Sequence, residues 1–247
     1  MRGLRKLMLV ELKLFLREPE AFFFTLIFPM IMLFVFGSVY GNKPSEFYGG
    51  HGSVDVSVPA YMGIIIAMTG LVSIPISVAT DREKGVLRRL RTTPVRPQTI
   101  LMSWVMVYFL VTVMGALLLV VAGKIFYNLR FEGNVLYVFF AFVLSVFGFV
   151  ALGFVIASLA RTARSANIIG MVLFFPMIFF SGATIPWQIL PKGVKTVARA
   201  LPMTYVVRLL QGLWFAEPWS KQLTSVAVLA GMLIIGVLVS AKIFRWE

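Results

Sequence analysis

Six apolar runs, each able to cross a bilayer, constrain this chain more than any other feature. They lie at 21–40, 58–79, 100–121, 135–159, 168–180 (possible extension to 185) and 223–243. A helix of about 20 residues rises about 30 Å, the thickness of the hydrocarbon core. With 60% hydrophobic residues over 247 positions and a mean hydropathy of +0.92, a soluble domain could not hide this much apolar surface. The expected fold is therefore an all-α polytopic membrane protein. It would be a single domain over 1–247 with six transmembrane helices and no room for a second, soluble catalytic domain. The fifth run reads as short or broken.

Charge sets the expected topology. The 23 Lys and Arg against 10 Asp and Glu give +13, a balance that elsewhere suggests nucleic acid. Here the cations flank the apolar runs, so topology explains them and no nucleic-acid partner is expected. Fifteen of the 23 fall in the N-terminal lead, the 80–99 loop, the 160–167 loop and the C-terminal tail, and eight fall on the other side. The positive-inside bias then puts both termini in the cytoplasm, as an even number of spans requires. The first run has full spanning length behind a long charged lead, which argues for a retained span over a cleaved signal peptide.

Between the runs, three stretches carry pattern. Residues 2–18 read as an interfacial amphipathic helix, with Leu4, Leu7, Met8, Leu14 and Phe15 on one side and Arg2, Arg5, Lys6, Lys13 and Arg17 on the other. Glu11 and Glu18 fall in its apolar stripe, seven apart. Two readings stay open: they pair with basic residues of the 80–97 loop or of a partner, or they snorkel to water. The 186–222 connection holds two short amphipathic helices, the second carrying Thr204, Arg208 and Gln211 as a polar stripe. These helices either re-enter the outer leaflet around a pathway as an outer gate or form a headgroup-level belt. Trp187, Trp214 and Trp219 serve as interface anchors in either case. Pro29, Pro75 and Pro176 are expected to kink the first, second and fifth spans.

The third stretch, 80–97, is a basic island between two spans. Thr80 followed by Glu83 reads as a capping box that opens a helix, and Pro94 closes it. Leu87 and Leu90 share a face, with Arg82, Arg88, Arg89 and Arg91 around it. Gly85 interrupts this helix at a cost of about 1 kcal/mol relative to Ala, which suggests close backbone approach to another chain. A short, rigid, charged helix on the membrane surface suits docking to a soluble partner.

What the chain lacks narrows its function. It has no cysteine, so no disulfide or thiolate metal site, and its one histidine, His51, lies in a glycine-rich loop. No phosphate-cradling G-x-x-x-x-G-K-[ST] occurs, so the chain is not expected to be an ATP-hydrolysing enzyme. With the runs bounded as above, no Asp or Glu falls inside a span, which disfavours an ion-coupled carrier. Energy for transport would have to come from another subunit.

Two motifs resemble the integral membrane subunits of ABC-2 type ABC exporters. One is Arg82-Glu83-Lys84-Gly85-Val86-Leu87-Arg88-Arg89-Leu90-Arg91-Thr92-Thr93-Pro94. The other is Leu201-Pro202-Met203-Thr204-Tyr205, with Arg208 and Gly212 following. The resemblance implies that the 80–97 loop is a coupling helix seated in a separate cytoplasmic ABC ATPase, with Arg82, Glu83, Gly85, Leu87, Arg88, Leu90 and Arg91 at the contact. ATP and Mg²⁺ would be bound by that ATPase and no cofactor by this chain. It further implies a second permease copy or paralogue across a shared pathway, a prokaryotic cytoplasmic membrane, and outward movement of a drug, lipid or glycan-linked substrate. The short 41–57 loop differs from branches with a large external domain there. Phe174, Phe175, Phe179 and Phe180 face either amphipathic cargo or lipid and neighbouring helices. A secondary carrier and a non-transporting scaffold subunit are the alternative readings.

Overall fold

The computed structural model describes residues 2–86, 97–185, 187 and 190–243. Six helices are long and apolar enough to span a bilayer: Phe23–Tyr40, Ser53–Glu83, Thr99–Tyr127, Val135–Leu159, Ala163–Phe180 and Trp219–Ile243. An N-terminal helix, Arg2–Arg17, precedes them, and two short helices, Lys192–Ala198 and Pro202–Trp214, sit between the fifth and sixth spans. No strand occurs among the described residues.

The second span is the hub. It touches the first, third, fourth and fifth spans and the 202–214 helix, and 94% of its most apolar window is buried. Lipid tails are as apolar as leucine, so helices in a bilayer associate through close packing, which small residues permit. Gly70 of the second span lies against the Phe149 backbone and Gly153 of the fourth, and a Cβ at either position would collide with the facing backbone. Gly170 of the fifth span lies as closely on Leu71. The sixth span packs mainly on the fourth.

Pro29 and Pro75 each follow a π turn, Phe23–Ile27 and Thr69–Ser73. Phe28 N–H reaches back to Phe23 O, and Ile74 N–H to Thr69 O. The wider turn moves aside the carbonyl that the proline ring would strike and absorbs the missing donor. Pro176 lies inside Ala163–Phe180 without ending it, and Pro59 is a further internal proline of the second span.

Several sequence expectations need correction. The fifth span is an unbroken 18-residue helix starting at Ala163. Thr162 and Ser165 cap it reciprocally, Ser165 N–H to Thr162 Oγ1 and Thr162 N–H to Ser165 Oγ, both 3.0 Å. The polar residues Arg164, Ser165 and Asn167 had concealed that start. The second span is longer at both ends than its apolar run and takes in Asp55, Asp81 and Glu83, all three near its ends and outside residues 58–79. Thr80 does not open a helix: the second span runs through it to Glu83, and Lys84 N–H still bonds Thr80 O at 2.9 Å. Gly85 has φ +66°, and a Cβ there would meet nothing within 4 Å. Its backbone conformation at the helix end by itself calls for glycine, and no contact within this chain does. Leu87, Arg88, Leu90 and Arg91 lie outside the described residues.

Candidate functional site

At the end of the bundle that carries the N-terminal helix, two neighbouring residues close two helix ends. The fourth span stops at Leu159 and leaves terminal carbonyls without intrahelical partners. The helix of the second span, continuing past its apolar section, presents Arg82 to them. Arg82 Nη1 donates to Ala160 O at 2.9 Å and Nη2 to Ala157 O at 3.1 Å. Beside it, Glu83 Oε1 accepts from Ala163 N–H, the first residue of the fifth span, at 3.2 Å. A cation thus meets a helix C-terminus and an anion a helix N-terminus, the favourable sense for both dipoles. This clasp ties the start of the basic island to the second, fourth and fifth spans.

The N-terminal helix docks nearby along the third span. Phe15 is buried and meets Tyr108 edge-on at 6.3 Å between ring centroids. Leu7, Met8 and Leu12 also pack inward, whereas Leu14, expected with them, is exposed beside Leu9, Val10 and Leu16. Both glutamates of the stripe turn inward. Burial, then the charge of Asp81, pushes the Glu11 carboxyl up to about 7. Glu18 is raised for the same two reasons, against Lys84. Asp81 and Trp104 are themselves buried, and Trp104 Nε1 completes no hydrogen bond. A cavity of about 300 Å³ opens alongside, among Glu18, Phe24, Met68, Ser73 and Asn167. The Asn167 Oδ1 is buried without a partner.

The opposite end is held by an Asn42–Asp55 pair. Asp55 Oδ1 accepts from Asn42 Nδ2 and from Arg130 N–H, both at 2.8 Å, and Oδ2 accepts from Gly52 N–H at 3.2 Å. Asn42 Oδ1 accepts from Val54 and Asp55 N–H, and its Nδ2 also reaches Tyr127 O at 3.1 Å. The first three spans are joined there. Pro202–Trp214 runs beside the second span: Met203, Val206 and Val207 pack at Gly63, and Gln211 Nε2 donates to Val56 O at 3.0 Å. Gly63 is ten residues into its helix, about 15 Å from the end, so this short helix enters the bundle.

The expected polar stripe divides. Thr204 is fully buried and donates to Ala198 O at 2.6 Å, which fixes the turn between the short helices. Arg208 is exposed and lies over the Trp187 ring at 4.1 Å. The four phenylalanines also part: Phe174 is buried in the bundle, while Phe175, Phe179 and Phe180 are exposed. Among the described residues, no group of three or more His, Asp or Glu could hold a metal.

A family model described as ABC-2 type transporter matches residues 3–215, which span the N-terminal helix, the clasp and the 202–214 helix. The chain belongs to the ABC-2 type transporter family. It is 25% identical over 194 residues to the inner membrane transport permease YhhJ of Escherichia coli K12, covering 73% of this chain and 51% of that protein. It is 23% identical over 234 residues to the putative transport permease ycf38 of Porphyra purpurea, covering 92% and 79%. A third relative, the probable multidrug ABC transporter permease YbhS of E. coli K12, is 23% identical over 160 residues, covering 64% and 42%. The chain therefore spans about half the length of YhhJ. In this ABC-2 chain, sequence reasoning singled out Arg82 and Glu83, giving Arg82 an outward role and Glu83 a capping role at Thr80 as well. It missed the Ala157–Ala163 turn, Trp104 and the Asn42–Asp55 pair.

Proposed function

We propose that this chain is the membrane-spanning permease subunit of an ATP-driven exporter, coupled through the 80–97 island to a separate cytoplasmic ATPase that binds ATP and Mg²⁺. The carrying observation is the clasp. Because Arg82 and Glu83 bind the ends of the fourth and fifth spans, a push on the island acts on three spans at once. Both termini would lie in the cytoplasm. The first, fifth and sixth spans, 28%, 28% and 11% buried over their apolar windows, leave apolar faces for a second copy or a paralogue. Substrate would be amphipathic or hydrophobic, a class consistent with the name of the multidrug relative. It would enter by the cavity beside Glu18 and Asn167 and leave past the re-entrant helix, with Arg208 and Gln211 at the exit. Coexpression with candidate ATPases tests this: an untagged ATPase should copurify, and its hydrolysis should depend on residues 80–97. A chain that retains no ATPase, yet transports in energised vesicles lacking ATP, would overturn the reading in favour of an ion-coupled carrier.

A further inference from the structure

The third and fourth spans are consecutive but touch at few points, since the fourth packs mainly on the sixth. Between them lies a cleft of about 390 Å³ at the end of the bundle opposite the clasp. Its walls are Val113, Ala116 and Val120 from one span and Val138 and Phe142 from the other, over a floor that includes Trp214. The Trp214 indole N–H is committed elsewhere, donating to Arg130 O at 2.9 Å. One charged residue lines the cleft: Lys124, exposed and three residues from the end of the third span. It makes no hydrogen bond or ion pair among the described residues, and the one nearby buried carboxylate, Asp55, is filled by N–H donors.

The dimensions select an occupant. From Lys124 to Val113 is eleven residues, about 16 Å along a helix, which matches one leaflet of a hydrocarbon core about 30 Å thick. An apolar slot one leaflet deep with a cation at its headgroup end has the shape and charge of a phospholipid. We propose that this cleft binds a phospholipid of the surrounding bilayer, one acyl chain lying between the third and fourth spans and the phosphate against Lys124 Nζ. Such a lipid fills space the chain leaves between two spans. It is a resident of the fold, separate from any transported substrate.

The test uses the purified chain in phosphatidylcholine nanodiscs containing a few mole per cent of phosphatidylglycerol with a photoactivatable acyl chain. Adducts are mapped by peptide mass spectrometry. They should concentrate on residues 113–124 and 135–142, above the level on the exposed face of the sixth span at Ile234, Ile235 and Leu238. Lys124→Gln, an exposed substitution, should lower cleft labelling about fivefold, the preference one lysine gives an acidic headgroup, and leave the sixth-span level unchanged. Ala116→Phe should fill the slot and remove the enrichment. Even labelling of all exposed faces, unaltered by Lys124→Gln, would overturn the proposal. So would an unlabelled cleft from which a chain-to-chain crosslink is recovered instead.

Discussion

The Asp55 carboxylate accepts from three N–H groups contributed by three separate segments: the Asn42 amide, the Gly52 backbone and the Arg130 backbone. It is 1% exposed, so removing it leaves the Gly52 N–H buried without its acceptor and takes one acceptor from the part-buried Asn42 and Arg130 N–H groups, at about 1–3 kcal/mol for a buried donor and less for the others. Asp55→Ala should therefore cost about 3 kcal/mol or more, a fall of roughly 6–12 °C in the thermal midpoint of the detergent-solubilised chain. Glu46→Ala, at an exposed site, is expected to leave the midpoint where it is. Equal midpoints for the two variants would show that Asp55 is dispensable. Its role was hidden in the sequence because the apolar run begins at Val58, whereas the helix begins at Ser53. The local signal was Gly52-Ser53-Val54-Asp55, a carboxylate placed to bond the N–H three residues before it. Gly85 teaches the same lesson in reverse. Its identity was legible as a cost within a helix, but only the φ of +66° gives the reason, which is helix termination.

Among the elements, the N-terminal helix depends on how its inward face is charged. Its amphipathic character was legible at helical spacing, and so was the oddity of Glu11 and Glu18 within the stripe. Their destination was not, because Asp81, Trp104 and Tyr108 come from spans distant in sequence. Free of the bundle, Glu11 would titrate near its ordinary 4.5; docked, it titrates near 7. Between those values the docked helix keeps a proton that the free helix has lost. Docking thus has the full contribution of this group below about pH 4.5 and loses it as pH rises through 7. Glu18 shifts in the same direction and adds to the effect, with Lys84 opposing it. Amide protection factors across residues 7–16, which remove the base-catalysed rise of the intrinsic rate with pH, should be higher at pH 5 than at pH 8. Glu11→Gln should flatten most of that difference and leave the helix protected at both values. Equal protection factors for the wild-type helix at the two values would refute the linkage. The 202–214 helix illustrates a different limit. Its amphipathic character was readable, but the burial of Thr204 depends on Ala198 and the second span, which periodicity cannot bring together.

Across the whole molecule, the count of spans and their order followed from hydropathy alone, because only helices satisfy their own backbone within lipid. Which spans touch did not follow, since glycine-to-backbone contacts such as Gly70 with Gly153 leave no pattern in one helix taken singly. Side assignment rests on charge, and a cysteine-free chain makes it easy to test: single cysteines at 88 and 195 should react with an impermeant thiol reagent from opposite sides. The coupling proposal needs docking and transmission to be separable. Leu87, on the apolar face of the island, would anchor in the ATPase, and a desolvated leucine is typically worth about 2 kcal/mol. Arg82 instead binds carbonyls of its own chain, so under the coupling proposal its part would be to pass movement to the fourth span. Leu87→Asp should therefore lose both ATPase capture and transport. Arg82→Ala should keep ATPase capture, with transport reduced at least tenfold, the effect of about 1.4 kcal/mol on the coupled step. Arg96→Ala, beyond the docking face, serves as the reference for both. If Leu87→Asp captured ATPase and transported like Arg96→Ala, the island would not be the docking element. If Arg82→Ala lost capture as completely as Leu87→Asp, the clasp would serve to hold the docking surface in shape and would not transmit motion.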